Sequence, residues 1–256
     1  MIEFVIFAAV GFLAQLVDGA LGMAYGVTCT SVLLAFGVPP AHASASVHAA
    51  EVFTTAASGA SHVWHRNVDW RLVGLLAPAG VVGGVFGTYV LTGIAGAAIR
   101  PFVTAYLAAI GAFIVVKAMR PFPERPISGW LVVPLGGAGG FVDAVGGGGW
   151  GPVVTSSLIG SGGAPRLVIG SVNAVEFVVT LSVSLTFLFA LLSGHWEDAG
   201  NVTDHLPAVG GLIVGGIVAA PLAGYVIKIV ATPVLTAVVG LLILTLAAYQ
   251  TWQLLH

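Results

Sequence analysis

Charge is scarce in this sequence: 8 lysines and arginines and 10 aspartates and glutamates, 7% of 256 residues. A soluble domain carries about a quarter charged residues. So few charges cannot cover a water-facing surface, which excludes an ordinary soluble globule. They form no basic patch, which excludes nucleic acid as a partner. Cysteine occurs once, at Cys29, so neither an internal disulfide nor a cysteine-based metal cluster can form. Cys29 itself reads as a small apolar core residue. No spaced His/Asp/Glu set points to a metal, no Ser/His/Asp arrangement points to an enzyme, and no cofactor is expected. A cleavable signal is also missing. The chain opens on Glu3 rather than a basic region, and its first seventeen residues belong to a repeat.

Apolar residues fill the space that charge leaves. They make up 58% of the chain, and the mean hydropathy is +1.05. The solvent for most of this surface is therefore lipid. Membrane β-strands alternate apolar and polar residues. Here the apolar runs are unbroken, so the spans are helices. The 36 glycines and 13 prolines fit, since both are commoner in membrane helices than in soluble ones.

The chain is duplicated. Residues 17–55 align without a gap onto 142–180, 125 positions later, with 14 of 39 positions identical. Chance in so biased a composition gives about a tenth. Farther on the offset becomes 132: Gly83-Gly84 matches Gly215-Gly216, and Pro101 with Thr104-Ala105 matches Pro233 with Thr236-Ala237. The first repeat is read as 1–120, a linker as 121–129 and the second repeat as 130–256. Each repeat opens on two short apolar pieces broken by a glycine turn (pair 2–36, as 2–17 and 20–36; pair 130–160, as 130–142 and 150–160). Three longer spans follow, 42–64, 72–93 and 101–118 in the first repeat, and 167–192, 206–227 and 233–252 in the second. Pro40, Pro165, Pro101 and Pro233 are expected near helix starts, where a missing N–H is harmless.

The short pieces could form one kinked span or a hairpin that enters and leaves on one side. If each pair returns to its starting side, Arg66, Arg71, Lys117, Arg120, Arg125, Arg166 and Lys228 share one face and Arg100 stands opposite. If each pair crosses once, the split is five against three. The positive-inside rule favours the hairpin. It puts the linker in the cytoplasm, and both termini and the acidic loop Glu197-Asp198…Asp204 outside. Each repeat then crosses an odd number of times, so the two are inverted. The expected fold is an all-α polytopic membrane protein of two inverted repeats in the cell (inner) membrane, an architecture that recurs in transporters.

Four acids lie within apolar sequence: Asp18, Asp143, Glu51 and Glu176. An ionised acid at a helix centre costs about 2.5–3.5 kcal/mol on insertion scales, so such residues raise a functional hypothesis by default. They form two repeat-related pairs. Glu51 follows His48, and Glu176 follows Asn173, by three positions, a spacing that puts each pair on one helix face. His48 is therefore expected to meet Glu51, and Asn173 to meet Glu176. Glu51 is read as a proton carrier assisted by His48, with Glu176, Asp18 and Asp143 as further coupling candidates. The alternatives are protonated glutamates joining helices by hydrogen bonds, and aspartates that cap helix starts.

The glycine turns offer a second chemistry. Gly22 in Val17-Asp18-Gly19-Ala20-Leu21-Gly22 and Gly147, Gly148 and Gly149 in the second copy let backbone N–H groups approach a ligand. The helix that starts after each turn carries a partial positive charge. Two such ends facing each other suit an anion without any Arg or Lys. Thr30-Ser31, Thr155-Ser156 and Asn173 could donate to its oxygens, and Tyr25 and Trp150, at one repeat position, could wall the cavity. Equally, the hydroxyls can bond back to their own helices, and the glycines can serve helix packing, above all at Gly83-Gly84 and Gly215-Gly216. Trp64 and Trp70 read as interface anchors, and His195 and His205 as solvated loop residues.

The Gly146-Gly147-Gly148-Gly149 turn, its first-half copy, the Gly37…Pro40 and Gly162…Pro165 segments and the Val68-Asp69-Trp70-Arg71 loop resemble the TauE/SafE family of sulfite and organosulfonate transporters. The likeness covers nearly the whole chain. The first turn departs from the pattern, with Met23-Ala24 where glycines are usual. The resemblance implies transport of small sulfur oxyanions or sulfonates such as sulfoacetate, often export driven by the membrane potential or a proton gradient. The residues alone reach only a small-anion transporter with membrane-embedded acids. A passive anion channel, or a cation or metal transporter using the four acids, stays open at this point. The expected partners are a small anionic solute and the bilayer, with a homo-oligomer left open.

Overall fold

In the computed structural model the described residues, 2–119, 129–196, 198–200, 205–229 and 232–256, are almost entirely helical. Arg120, Arg125, Glu197, Asp204 and most of the linker lie outside them. The helices are α1 (Ile2–Leu21), α2 (Tyr25–Ala35), α3 (Pro40–Trp64), α4 (Trp70–Thr92), α5 (Gly96–Ala118), α6 (Gly129–Gly146), α7 (Ser156–Gly160), α8 (Pro165–Ser193), α9 (Leu206–Ile229) and α10 (Thr232–Leu255). A π-helical turn, Trp150–Thr155, runs directly into α7. Six of the described helices are long and apolar enough to cross a bilayer: α1, α4, α5, α6, α8 and α10.

Polarity is arranged inside out. Val82, Phe102, Phe189 and Leu192 are exposed, whereas Gln15, Ser44, His48, Glu51, Asp143, Asn173 and Gln250 are buried. This is the pattern of a chain whose outside meets lipid and whose polar groups satisfy one another within. Trp64, Trp70 and Trp130 are largely exposed at neighbouring helix ends, where indole rings suit a membrane interface.

Several element boundaries differ from the sequence reading. The first member of each short pair is longer than expected, 20 residues in α1 and 18 in α6, because the helix continues past Asp18 and Asp143. The second member of the first pair starts later, at Tyr25 rather than near residue 20. Pro40 and Pro165 do open their helices. Pro101 does not: α5 begins at Gly96, leaving Pro101 inside, where it removes one ladder bond.

The chain reverses at both glycine turns. Phe7, near the start of α1, meets Phe36, at the end of α2, with ring centroids 5.7 Å apart. In a kinked span these rings would stand on opposite sides of the molecule. The second pair reverses likewise: Gly139 of α6 sits against Val154 and Trp150.

Packing exchanges the two halves. The helix α1 lies on α9 as α6 lies on α4, α3 lies on α9 as α8 lies on α4, and α3 crosses α8 while α5 crosses α10. Glycines make the closest approaches. A Cβ on Gly83 would strike the Gly137 carbonyl of α6, and one on Gly215 would strike the Ala8 carbonyl of α1. These two glycines serve helix–helix contact.

Candidate functional site

Each glycine turn begins where a helix must stop. Gly22 and Gly147 both stand at φ +64°, the left-handed conformation that ends helices at low cost for glycine. The aspartate one turn earlier then governs the restart. Asp143 Oδ1 accepts the backbone N–H of Gly149 at 2.7 Å and of Trp150 at 2.8 Å. Asp18 Oδ1 accepts the N–H of Tyr25, the repeat counterpart of Trp150, at 3.1 Å. The aspartates thus hold three of the N–H groups that the sequence offered to an anion. Ala24 sits at φ 120°, a conformation that costs a residue with a Cβ about 1–3 kcal/mol.

The two turns interlock through contacts that repeat at the 125-residue offset. The Thr30 hydroxyl donates to the Gly147 carbonyl, and the Thr155 hydroxyl donates to the Gly22 carbonyl at 3.4 Å. A Cβ on Gly26 would lie 2.7 Å from Gly148 Cα, and one on Gly151 would lie 2.7 Å from Met23 Cα. The two threonines read as possible ligand donors are therefore engaged in holding the turns together. Tyr106 adds a bond from α5, its hydroxyl donating to the Gly148 carbonyl at 3.1 Å. No repeat signal marks Tyr106, because Val238 stands at the matching position.

Glu51 reaches this crossing point from α3. Its Oε1 would lie 2.8 Å from a Cβ on Gly26, beside Gly148. Its side chain is buried, and Oε2 has no hydrogen-bond partner among the described residues. Glu176 is half-buried on α8. The Thr55 and Thr180 hydroxyls, one helical turn farther along each helix, come within 3.4 Å of each other where α3 crosses α8. Ser31 Oγ is also buried and without a hydrogen-bond partner among the described residues.

His48 does not meet Glu51. Its Nε2 lies 3.1 Å from Asp143 Oδ2, and its Nδ1 lies 2.8 Å from the Ser44 carbonyl. Three-residue spacing places two side chains on one face but leaves each free to choose a partner on another helix. Asn173 likewise turns from Glu176. Its Nδ2 donates to the Ile169 carbonyl at 3.1 Å, and its Oδ1 accepts from Ser58 at 2.8 Å. The His48 contact has a proton balance. A carbonyl only accepts, so Nδ1 carries a hydrogen. A carboxylate oxygen also only accepts, so a hydrogen bond across the Nε2···Oδ2 gap needs one further proton.

The two aspartates, equivalent by repeat, have opposite surroundings. A cavity of about 170 Å³ is lined by Asp18, Gly22, Ser58, His62, Asn173 and Arg166, among others. Its outer rim is exposed Arg166, whose Nε donates to Asn67 Oδ1 at 2.6 Å. On the equivalent positions of the other half, His48 replaces Asn173, Val183 replaces Ser58 and Phe187 replaces His62. There Asp143 is 2% exposed and Val183 is fully buried. Phe187 packs tilted against Trp196, with ring centroids 5.5 Å apart, and against His48 at 6.4 Å. One half-site is open and its partner is filled.

Asp143→Ala should therefore be far more damaging than Asp18→Ala. The first removes two cap bonds and strands buried His48, a loss of about 3–5 kcal/mol. The second removes one cap bond, about 0.5–2 kcal/mol. Thermal unfolding of both variants in one detergent checks the order.

The sequence matches the family profile for the sulfite exporter TauE/SafE over residues 7–253. The chain belongs to the TauE/SafE family. A curated relative, the "probable membrane transporter protein YtnM" of Bacillus subtilis (strain 168), is 43% identical over 235 residues, covering 89% of this chain and 76% of that protein. No solved structure matches the chain. As a TauE/SafE membrane transporter, it carries near its turns two basic side chains that repeat reasoning passed over, Arg166 at the cavity rim and Lys117. The Lys117 ammonium donates to Ser156 Oγ at 2.8 Å and touches Met23 Sδ at 3.5 Å. Both had counted only as charges on the cytoplasmic face.

Outside the site, two histidines depart from the solvated role expected of them. His195 stacks on Tyr89 with centroids 3.9 Å apart, and His205 faces His42 at 4.7 Å. Arg100 closes the end of α2 instead of standing free, donating to the Leu34 carbonyl at 3.2 Å. Asp69 caps α4, accepting from the Arg71 and Leu72 N–H groups.

Proposed function

We propose that this chain is a secondary transporter of small sulfur-containing anions, sulfite or organosulfonates such as sulfoacetate, working as an exporter by alternating access. The observation that carries this reading is the pair of unlike half-sites. One sequence element, duplicated, is open beside Asp18 and sealed beside Asp143. An exchange of these two environments would carry a solute from one side of the crossing turns to the other. The family's sulfite-exporter description supports the solute class.

The two repeats are inverted in this reading, with both termini outside the cytoplasm and the linker inside. Two features support it. The first hairpin ends beside Arg100, whereas Lys117 reaches Ser156 in the second. The open cavity has Arg166 at its rim, on the cation-rich side that the positive-inside rule makes cytoplasmic. An exporter at rest with its site open to the cytoplasm fits that orientation. The His48–Asp143 contact holds the outer half-site shut, and Glu51 at the crossing takes part in coupling.

The test uses protein reconstituted in liposomes loaded with sulfite or sulfoacetate. A carrier gives efflux that external solute accelerates. A passive channel gives conductive flux with no such acceleration, and that result overturns the carrier reading. Access is checked in a Cys29→Ala background. Ser58→Cys should react with a polar thiol reagent applied from the cytoplasmic side, and Val183→Cys should not. Adding His48→Asn, which gives the second half-site the residue of the first, should raise labelling of Val183→Cys severalfold from the outside. Equal labelling at both positions without that change would refute the one-sided state.

A further inference from the structure

The solute site of the proposed transporter has a conspicuous electrostatic difficulty. Asp18, Glu51 and Asp143 stand around the two turns, and Asp18 and Asp143 already hold three of the N–H groups after them. An anion entering there meets carboxyls and few free donors. Some positive charge is needed close to the first turn, where the open cavity ends at Gly22.

Lys117 supplies one. It lies in the last turn of α5. Helical side chains tilt toward the N-terminus of their own helix, so the stem runs back toward the centre of the bundle. A lysine that only marks the membrane boundary would extend the other way, to the headgroups. The ammonium instead stops on Ser156 Oγ at 2.8 Å and Met23 Sδ at 3.5 Å. Ser156 is 2% exposed and Met23 is 5% exposed, so the contact lies inside the protein. Neither partner carries charge, and a thioether is a weak acceptor. Among the described residues Lys117 has no carboxylate partner; the ion pair present there is His48 with Asp143. Among the described residues, this half-buried cation has no charge to balance it and two hydrogen-bond partners for its three donors. Met23 follows Gly22 in the chain, so the ammonium stands one residue from the wall of the open cavity.

We infer that Lys117 is the cationic element of the solute site, binding an oxyanion that reaches it from the Gly22 cavity past Met23, with Ser156 holding the ammonium in place when the site is empty. The ligand is a small, compact anion with several equivalent oxygens, as in a sulfite or sulfonate group. Its oxygen takes the position that the weak sulfur acceptor holds. An ammonium is a point charge with rotatable donors and sets no planar requirement, which suits a tetrahedral or pyramidal head rather than a flat carboxylate. The inference rests on the anion-transporter reading above and names the residue that meets the charge.

The experiment reads solute-induced thermal shift and flux on the intact, detergent-purified and reconstituted protein, with sulfite and sulfoacetate as probes. Lys117→Gln should lose the solute-induced shift and raise the KM for flux about tenfold or more, with the solute-free Tm changed little. Lys117→Arg, which keeps the charge, should retain most of the shift. Ser156→Ala, which keeps the cation but frees it, should weaken binding severalfold and serves if the glutamine variant does not fold. A wild-type protein that neither shifts nor transports either probe would defeat the anion-transporter reading itself. A wild-type shift that Lys117→Gln and Ser156→Ala leave intact would defeat only the assignment of Lys117.

Discussion

Gly148→Ala yields little folded protein and no transport. Gly148 stands at φ +146° and a Cβ there would drive into the Gly26 carbonyl carbon and the Val27 nitrogen. Both obstacles are backbone, so no rotamer change relieves the clash. Overpacking of this kind costs about 1–3 kcal/mol, and the positive φ adds about 1–3 kcal/mol for a residue with a Cβ. Their sum, about 2–6 kcal/mol, reaches the lower end of the about 5–15 kcal/mol that stabilises an ordinary domain. The interlock also positions the Thr30 bond to Gly147 and the Tyr106 bond to Gly148, so the damage spreads through both turns. Gly74→Ala is the control. Gly74 is a helical glycine whose added Cβ would have no atom within 4 Å, and it should leave stability unchanged or raise it slightly. Size-exclusion profiles and thermal unfolding of the two variants measure the contrast. A well-folded, active Gly148→Ala protein would show that the turns do not cross as described.

Glu51→Gln removes the dependence of solute flux on a pH gradient while the protein remains folded. The substitution keeps shape and removes the titratable group. Glu51 is buried, its Oε2 has no hydrogen-bond partner among the described residues, and it lies where Gly26 of one turn meets Gly148 of the other. A group so enclosed can exchange a proton only when the turns part or a solute brings water to them. Its protonation and the solute's passage are then linked through one structural event, which is what coupling requires. In liposomes carrying a pH gradient, wild-type flux should change with the size and sign of the gradient, and Glu51→Gln flux should not. Thermal unfolding should show the variant close to wild type, since its shape is kept and Oε2 has no hydrogen-bond partner to lose among the described residues. A variant that keeps the wild-type response to the gradient removes Glu51 from coupling and leaves the His48–Asp143 pair as the next candidate.

Composition alone determined that the chain lives in lipid as helices, because 7% charged residues can solvate no water-facing surface. The duplication marked the two turns as equivalent, and their contacts repeat at the same 125-residue offset, Thr30 to Gly147 and Thr155 to Gly22. Glycine at these turns was also legible, because Gly22 and Gly147 need φ +64° and few other residues accept it. What the chain pattern left undecided was the choice of partners. Helical spacing put His48 on the face of Glu51, yet tertiary packing brought Asp143 from α6 within 3.1 Å of it. Charge counting placed Lys117 at a membrane boundary, but the direction of its stem and the position of Ser156 on another helix turned it inward. The difference between the open and sealed half-sites was equally out of reach. Repeats make two halves alike in sequence, whereas packing forces them to share one crossing, and only one side of that crossing has room for the cavity beside Asp18.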